Sequence, residues 1–164
     1  MEGKGLVPER MKLGPAAVQY GIAYRAESPA PVVVVAFVGS TANAAEQEQF
    51  DNYLDNFDSK HLPGLAKQVM AFAAGLGQGT EVDDGDVDVA ECGALADLRA
   101  GCNSAALRAN VRIGDSALFC DYIVFHRMLI VGAVCAVYSS QERPQSVETF
   151  IRAFDGAVQA YTES

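Results

Sequence analysis

Between Leu107 and Tyr161 the sequence changes its period twice, and this limits the folds open to the chain more than any other feature. Leu107, Ala109, Val111 and Ile113 alternate with Arg108, Asn110 and Arg112, the period of two that a strand with one wet face requires. Gly114-Asp115 then offers a two-residue turn. Ser116 to Phe125 reads as a second strand and Leu129 to Tyr138 as a third, the latter almost wholly apolar. After a polar break over Ser139 to Gln145, Val147, Phe150, Ile151, Phe154, Val158 and Tyr161 recur at helical spacing and form one stripe. Short turns join antiparallel neighbours, so the stretch predicts a three-stranded meander closed by an amphipathic helix. A two-residue turn at Gly114-Asp115 sets Ile113 against Ser116 and Arg108 against Asp121. Opposite charges facing across strands contribute about 0.2–1 kcal/mol, which favours that register.

Upstream the same grammar appears once more. Met1 to Leu13 reads as a polar, mobile lead-in. Val18, Tyr20, Ile22 and Tyr24 alternate with Gln19, Gly21, Ala23 and Arg25, which predicts a half-buried strand. Glu27 to Pro31 is a proline-bearing turn, and Val32 to Val38 is an apolar run suited to a strand covered on both faces. Asn43 and Glu46 have the spacing of a capping box before a helix carrying Phe50, Tyr53, Leu54 and Phe57. Lys60 to Gly64 breaks that helix. A second, apolar helix is expected with Leu65, Val69, Phe72 and Leu76, stopped by Gly75, Gly77 and Gly79. Glu81 to Glu91 is an acidic loop or edge strand, and Leu95 to Asn103 allows one helical turn.

Offsetting the first half by 97 positions lays Val33 on Ile130, Ala36 on Ala133, Phe50 on Val147, Leu54 on Ile151 and Phe57 on Phe154. The matched units, roughly 17–60 and 116–161, are each a hairpin, a polar break and an amphipathic helix. The reading is therefore one α+β domain over 1–164: an antiparallel sheet built from two hairpin–helix repeats, with the helices packed mainly on one face. This strand–strand–helix order resembles small exported α+β domains of bacterial lipoproteins, the PsbP-like arrangement being the nearest named type. The resemblance carries no motif and no functional residue. It implies a non-enzymatic binding or accessory module, and with the hairpin–helix repeat and no catalytic constellation the expected function is a binding or sensor domain, extracytoplasmic in location.

Partners are narrowed by charge. The net formal charge of −9 over 164 residues argues against nucleic acid, whose phosphates need a basic face, and disfavours anionic membrane surfaces. No apolar run approaches the roughly 18 residues of a membrane helix. Met1 to Leu13 lacks the apolar core of a signal peptide. The compartment is thus cytoplasmic, or extracytoplasmic if a signal segment was removed. Four cysteines bear on the same question. Cys92 and Cys102 can close a short loop in an oxidising compartment, worth roughly 3 kcal/mol or less. Cys120 and Cys135 sit on adjacent strands and read as buried free thiols, diagonal across a two-residue turn and opposite across a four-residue one.

Chemical motifs are sparse. His61 and His126 fall in expected turns and read as solvent-facing, with no carboxylate or nucleophile beside either in sequence. Asp84, Asp86 and Asp88 keep the alternate spacing of a calcium loop, but the sixth position is Val89 and the twelfth Leu95, so the run reads as a solvated loop. Gly75 to Gly79 follows a helix instead of preceding one, which makes it a helix stop and not a phosphate cradle. No cofactor and no metal is expected. The candidate binding surface is Arg108, Arg112 and Asp121 with the hairpin tip at His126 and Arg127, meeting an unidentified protein or small ligand. Two other readings stand beside it. One is a small cofactor-free enzyme with a pocket where Tyr20, Tyr24, Tyr122, Asp121 and Arg108 converge, and the other is a structural homodimer formed through the sheet.

Overall fold

In a computed structural model that describes residues 2–6, 12–26, 31–57, 87–113 and 115–164, the elements follow in the order β1 (Glu2–Leu6), β2 (Lys12–Leu13), β3 (Ala16–Ala26), β4 (Val32–Ser40), α1 (Ala44–Asp55), β5 (Val87–Ala94), β6 (Asn103–Ile113), β7 (Ser116–Arg127), β8 (Ile130–Tyr138) and α2 (Gln145–Glu163). The class is α+β. The described strands join one antiparallel sheet in the order β1-β3-β4-β8-β7-β6-β5, with β2 paired to the start of β3. The meander over β6, β7 and β8 has the expected register, Ile113 opposite Ser116 and Arg108 opposite Asp121. The lead-in differs from its expectation, since Glu2–Leu6 is a strand paired with β3. Leu95 to Cys102 holds no helical turn. His61, the helix expected at Leu65 to Leu76, and the acidic residues up to Asp86 lie outside the described residues.

The two central strands explain the two most apolar runs. In β8, Val131, Ala133, Cys135 and Val137 join one core cluster, while Val134, Ala136 and Tyr138 join another on the opposite face. In β4, Val35 and Phe37 lie on the first face, and Val32, Val34 and Ala36 on the second. A strand covered on both sides has no position left for alternating polar residues. At β3 the simple alternation fails. A bulge at Gln19 shifts the register between Val18 and Tyr20, so Val18 joins the first core while Ile22 and Tyr24 pack against the second. One inserted residue exchanges the faces beyond it. Gly39 sits opposite this bulge, where a Cβ would collide with the Ala17 carbonyl oxygen.

Each described helix takes one face. α1 starts at an Asn43 cap whose side chain accepts from the Glu46 N–H at 3.0 Å. It buries Phe50 and Leu54, with Phe57 just beyond its end, in the core that contains Leu107, Tyr122 and Val124. α2 buries Val147, Ile151 and Val158 on the other face, with Phe150 and Phe154 half-buried beside them, while Tyr161 is exposed. Full burial of a side chain the size of Phe50 or Ile151 contributes roughly 1.5–3 kcal/mol. The expectation of helices mainly on one face is therefore corrected for the two described helices. Phe50, Leu54 and Phe57 belong to one core, and Phe150, Ile151 and Phe154 to the other.

This division also bears on the repeat. β3 lies outboard of β4 and β7 outboard of β8, β4 runs antiparallel to β8, and α1 and α2 cover opposite faces. Carrying the first unit onto the second reverses the strand direction, the outboard direction and the covered face together. That operation is an inversion, and no rotation of an L-chain performs it. The matching pattern reflects two ordinary strand–strand–helix units and not a superposable pair.

Candidate functional site

Asp121 interrupts the apolar run Leu118 to Phe125 of β7, and an ionised carboxylate there must be paired to stay buried. The meander supplies the first partner. Arg108 on β6 donates from Nε to Asp121 Oδ1 at 2.7 Å and from Nη2 to Oδ2 at 2.9 Å. Tyr138 on β8 donates its hydroxyl to Oδ2 at 2.8 Å and accepts from Arg108 Nη2 at 2.8 Å. Arg143, in the turn between β8 and α2, donates from Nε to Oδ2 at 2.6 Å. Its Nη1 lies 3.2 Å from both Asp97 Oδ2 and Glu148 Oε1. Burial pushes the Asp121 carboxyl up, but hydrogen bonds from Arg108, Arg143 and Tyr138 outweigh it and hold the group below the usual carboxylate range. Burial and the neighbouring carboxylate push the Tyr138 phenol up. The result is a saturated anion that cross-links three strands, a turn and a helix. A carboxylate this stabilised, with its lone pairs occupied, is poorly suited to proton transfer near neutral pH.

A second polar cluster sits at the β7–β8 turn, on the α1 face. His126 is 4 % exposed, and its Nε2 lies 2.7 Å from Asp51 Oδ1 on α1. Asn103 on β6 donates Nδ2 to the same oxygen at 2.8 Å. Nδ1 of His126 lies 3.2 Å from the Met128 carbonyl oxygen, and the Phe50 ring meets the imidazole edge to face at 5.9 Å. The Asn103 hydrogen bond comes first in holding the Asp51 carboxyl below its usual range; burial opposes it and the His126 contact adds to it. Both imidazole nitrogens face oxygen atoms of the protein itself. The expectation of a solvent-facing His126 is corrected. The residue precedes the turn, its side chain points to the α1 face, and helix residues Phe50 and Asp51 cover it.

The turn itself is anchored from several directions. The Leu129 carbonyl accepts from the Thr41 N–H at 2.9 Å, and the His126 carbonyl from the Cys102 N–H at 2.8 Å. Arg127 makes a two-point pair with Asp155 of α2 at 2.6 and 2.9 Å, and the same carboxylate accepts from the Gly101 N–H at 3.1 Å. Between these anchors Met128 has φ of 52° and is 64 % exposed, with Leu129 37 % exposed beside it.

The five expected surface residues do not form one patch. Arg108 and Asp121 are together on the α2 face. Arg112 is opposite Ala117 and Arg127 opposite Ile130, which along β7 is a span of roughly 33 Å at strand rise. His126 belongs to the other face. The tyrosines of the pocket reading also part company: Tyr122 joins the α1-side core, whereas Tyr24 packs on the α2 side in β3, separated from β7 by β4 and β8. Cys92 pairs with Ala109, seven residues along β6 from Cys102, roughly 23 Å at strand rise, so a bridge between them would need both strands to move. Cys102 is a free, exposed thiol, and Cys120 and Cys135 are free and buried. Among the described residues no group of three His, Cys, Asp or Glu side chains converges on a metal-sized site, and no helix is long and apolar enough to cross a membrane.

Sequence spacing could not reach Asp51, Asn103, Arg143 or Met128. Asp51 is 75 residues from His126, and only the packing of α1 over β6 and β7 brings them together. Comparison of the chain with protein-family models, with curated proteins and with solved structures returns no match.

Proposed function

We propose that this domain is a non-enzymatic binding or accessory module that meets a partner protein through the β7–β8 turn, at Met128 and Leu129. The observation that carries the reading is the backbone at Met128. A residue with a side chain at positive φ costs of order 1 kcal/mol or more, and hairpin turns of this length ordinarily place Gly, Asn or Asp there. Met128 returns little of that cost to folding, because most of its side chain is in water. Methionine is flexible and polarisable, which suits a contact surface. The anchors from Thr41, Cys102, His126 and Asp155 hold the turn in one shape before any partner arrives, and such preorganisation lowers the entropic cost of binding. The ionisable groups between the elements support the same reading, since buried Asp121 and His126 and their partners Arg143 and Asp51 are engaged in bonds between elements.

The test has two arms. Met128→Gly is expected to raise unfolding stability by roughly 0.5–1 kcal/mol, because glycine relieves the positive φ. A photoactivatable residue at position 128 of the full chain, expressed in its own host, is expected to give one discrete protein adduct. The adduct should be absent when the probe sits at exposed Arg152 and lost on Leu129→Asp. A destabilising Met128→Gly, or labelling that does not distinguish positions 128 and 152, would overturn the turn as the contact site. An enzymatic activity abolished by Asp51→Asn or His126→Asn in folded protein would overturn the non-enzymatic reading.

A further inference from the structure

Cys120 of β7 and Cys135 of β8 both point into the α1-side core, and their Sγ atoms lie 3.2 Å apart. The two-residue turn sets them diagonally, Cys120 opposite Val137 and Tyr122 opposite Cys135. A disulfide bond measures about 2.05 Å, so closure requires the sulfurs to approach by roughly 1 Å. We propose that this pair is a disulfide site built into the sheet, closed by an oxidising low-molecular-weight disulfide such as oxidised glutathione. The inference is independent of the partner-binding reading.

The chemistry is two successive exchanges. One cysteine thiolate attacks a sulfur of the small disulfide, forms a mixed disulfide and releases one small thiol. The second cysteine thiolate attacks the protein sulfur of that mixed disulfide, forms the Cys120–Cys135 bond and releases the second small thiol. The protein dithiol loses two electrons and two protons, and the small disulfide becomes two thiols.

Three features separate this pair from two cysteines that happen to be buried. The register of β7 and β8 is continuous from Phe119–Tyr138 to Arg127–Ile130, so the strands cannot slide the sulfurs apart. Apolar groups surround the pair, with Tyr122 stacked on Phe57 at 5.8 Å on the same face. The Cys120 contact comes first, with burial after it, in pushing the Cys135 thiol well above its usual value. Little thiolate therefore forms while the fold is closed, and the bond is expected to form during folding or on local opening. Cys102 is free and exposed and serves as an internal reporter of the oxidant.

The full chain, purified reduced, would be incubated with oxidised glutathione, then denatured and alkylated, and its unreduced digest analysed by mass spectrometry. The expected result is a Cys120–Cys135 cross-linked peptide that appears slowly in buffer and faster in sub-denaturing urea, after Cys102 has become glutathionylated. The bridged protein is expected to melt about 6–12 °C higher than the reduced form, from the loop-closure entropy of a segment this long. Cys120→Ala should abolish both the cross-link and the rise. If that variant does not fold, the cross-link and the melting shift of the unsubstituted chain decide alone. Glutathionylated Cys102 alongside fully alkylated Cys120 and Cys135, in buffer and in urea alike, would overturn the proposal. So would a bridged form that melts at or below the reduced one.

Discussion

Asp121→Asn keeps the shape of the side chain and removes its charge, which isolates what the central carboxylate contributes. Arg108, Arg143 and Tyr138 all donate to that carboxylate at 2.6–2.9 Å. Their exposures differ: the Arg143 side chain is 8 % exposed and the Arg108 side chain 29 %. Without the charge, the anionic partners left to Arg143 among the described residues are Asp97 and Glu148, both at 3.2 Å and both far more exposed. Stripping one partner from a buried pair typically costs about 3–5 kcal/mol. The two remaining carboxylates place the expected loss near the lower end, at about 3 kcal/mol. The pH dependence supplies a second reading. Asp121 is held below its ordinary value in the fold, so as pH falls the unfolded chain takes up the proton first. The contribution is complete above the unfolded carboxyl pKa of about 3.9 and is lost as pH falls through the depressed folded value. Urea unfolding near neutral pH and across the acid range would show a steep acid loss in the parent chain and a shallower one in Asp121→Asn. A neutral-pH loss under about 1 kcal/mol, the size of an exposed pair, would show that Arg143 and Arg108 do not depend on the Asp121 charge. So would an acid slope left unchanged by the substitution.

Three further outcomes follow from the packing. Phe50→Leu and Ile151→Val lie in separate cores on opposite faces, so their losses, about 0.5–1.5 kcal/mol for the second, should add within about 0.5 kcal/mol in the double variant. A larger coupling, measured by denaturant unfolding, would show one shared core. Gly39→Ala places a Cβ against the Ala17 backbone oxygen, which cannot move without breaking the bulge, and is expected to cost at least about 1–3 kcal/mol. Tyr122→Phe removes a buried hydroxyl that has no hydrogen-bond partner among the described residues. It should be neutral or stabilising by up to about 1 kcal/mol, and a clear loss of stability would reveal a partner for that hydroxyl.

How much of this was legible in the sequence depends on how far apart the deciding residues lie. Alternation in β6 and the turn after it located Arg108 opposite Asp121, because hairpin pairing is set within about a dozen residues. The apolar runs of β4 and β8 marked strands covered twice. What covers each side was not legible, since the stripe of α1 and the stripe of α2 look alike in one dimension. The face a helix takes follows from the path of the loop before it, and hydrophobic periodicity says nothing of that path. The bulge at Gln19 was hidden for a related reason. Val18, Tyr20, Ile22 and Tyr24 keep a perfect alternation in sequence, and only the pairing with β4 breaks it.

The β7–β8 turn marks the limit most clearly. Arg127-Met128-Leu129-Ile130 contains none of the residues that a two-residue hairpin turn ordinarily demands, so local propensity could not decide between a short and a longer loop. Tertiary contacts decide it instead. Thr41, Cys102, Asp51 and Asp155 reach the turn from the β4–α1 connection, the β5–β6 connection, α1 and α2, and hydrogen bonds of this kind contribute about 0.5–1.5 kcal/mol each. Together they exceed the cost of one methionine at positive φ, which is of order 1–2 kcal/mol. A glycine there would have made the turn without the strain. The chain instead keeps a large apolar side chain facing water on a fixed loop, and the proposed contact role of the turn rests on that.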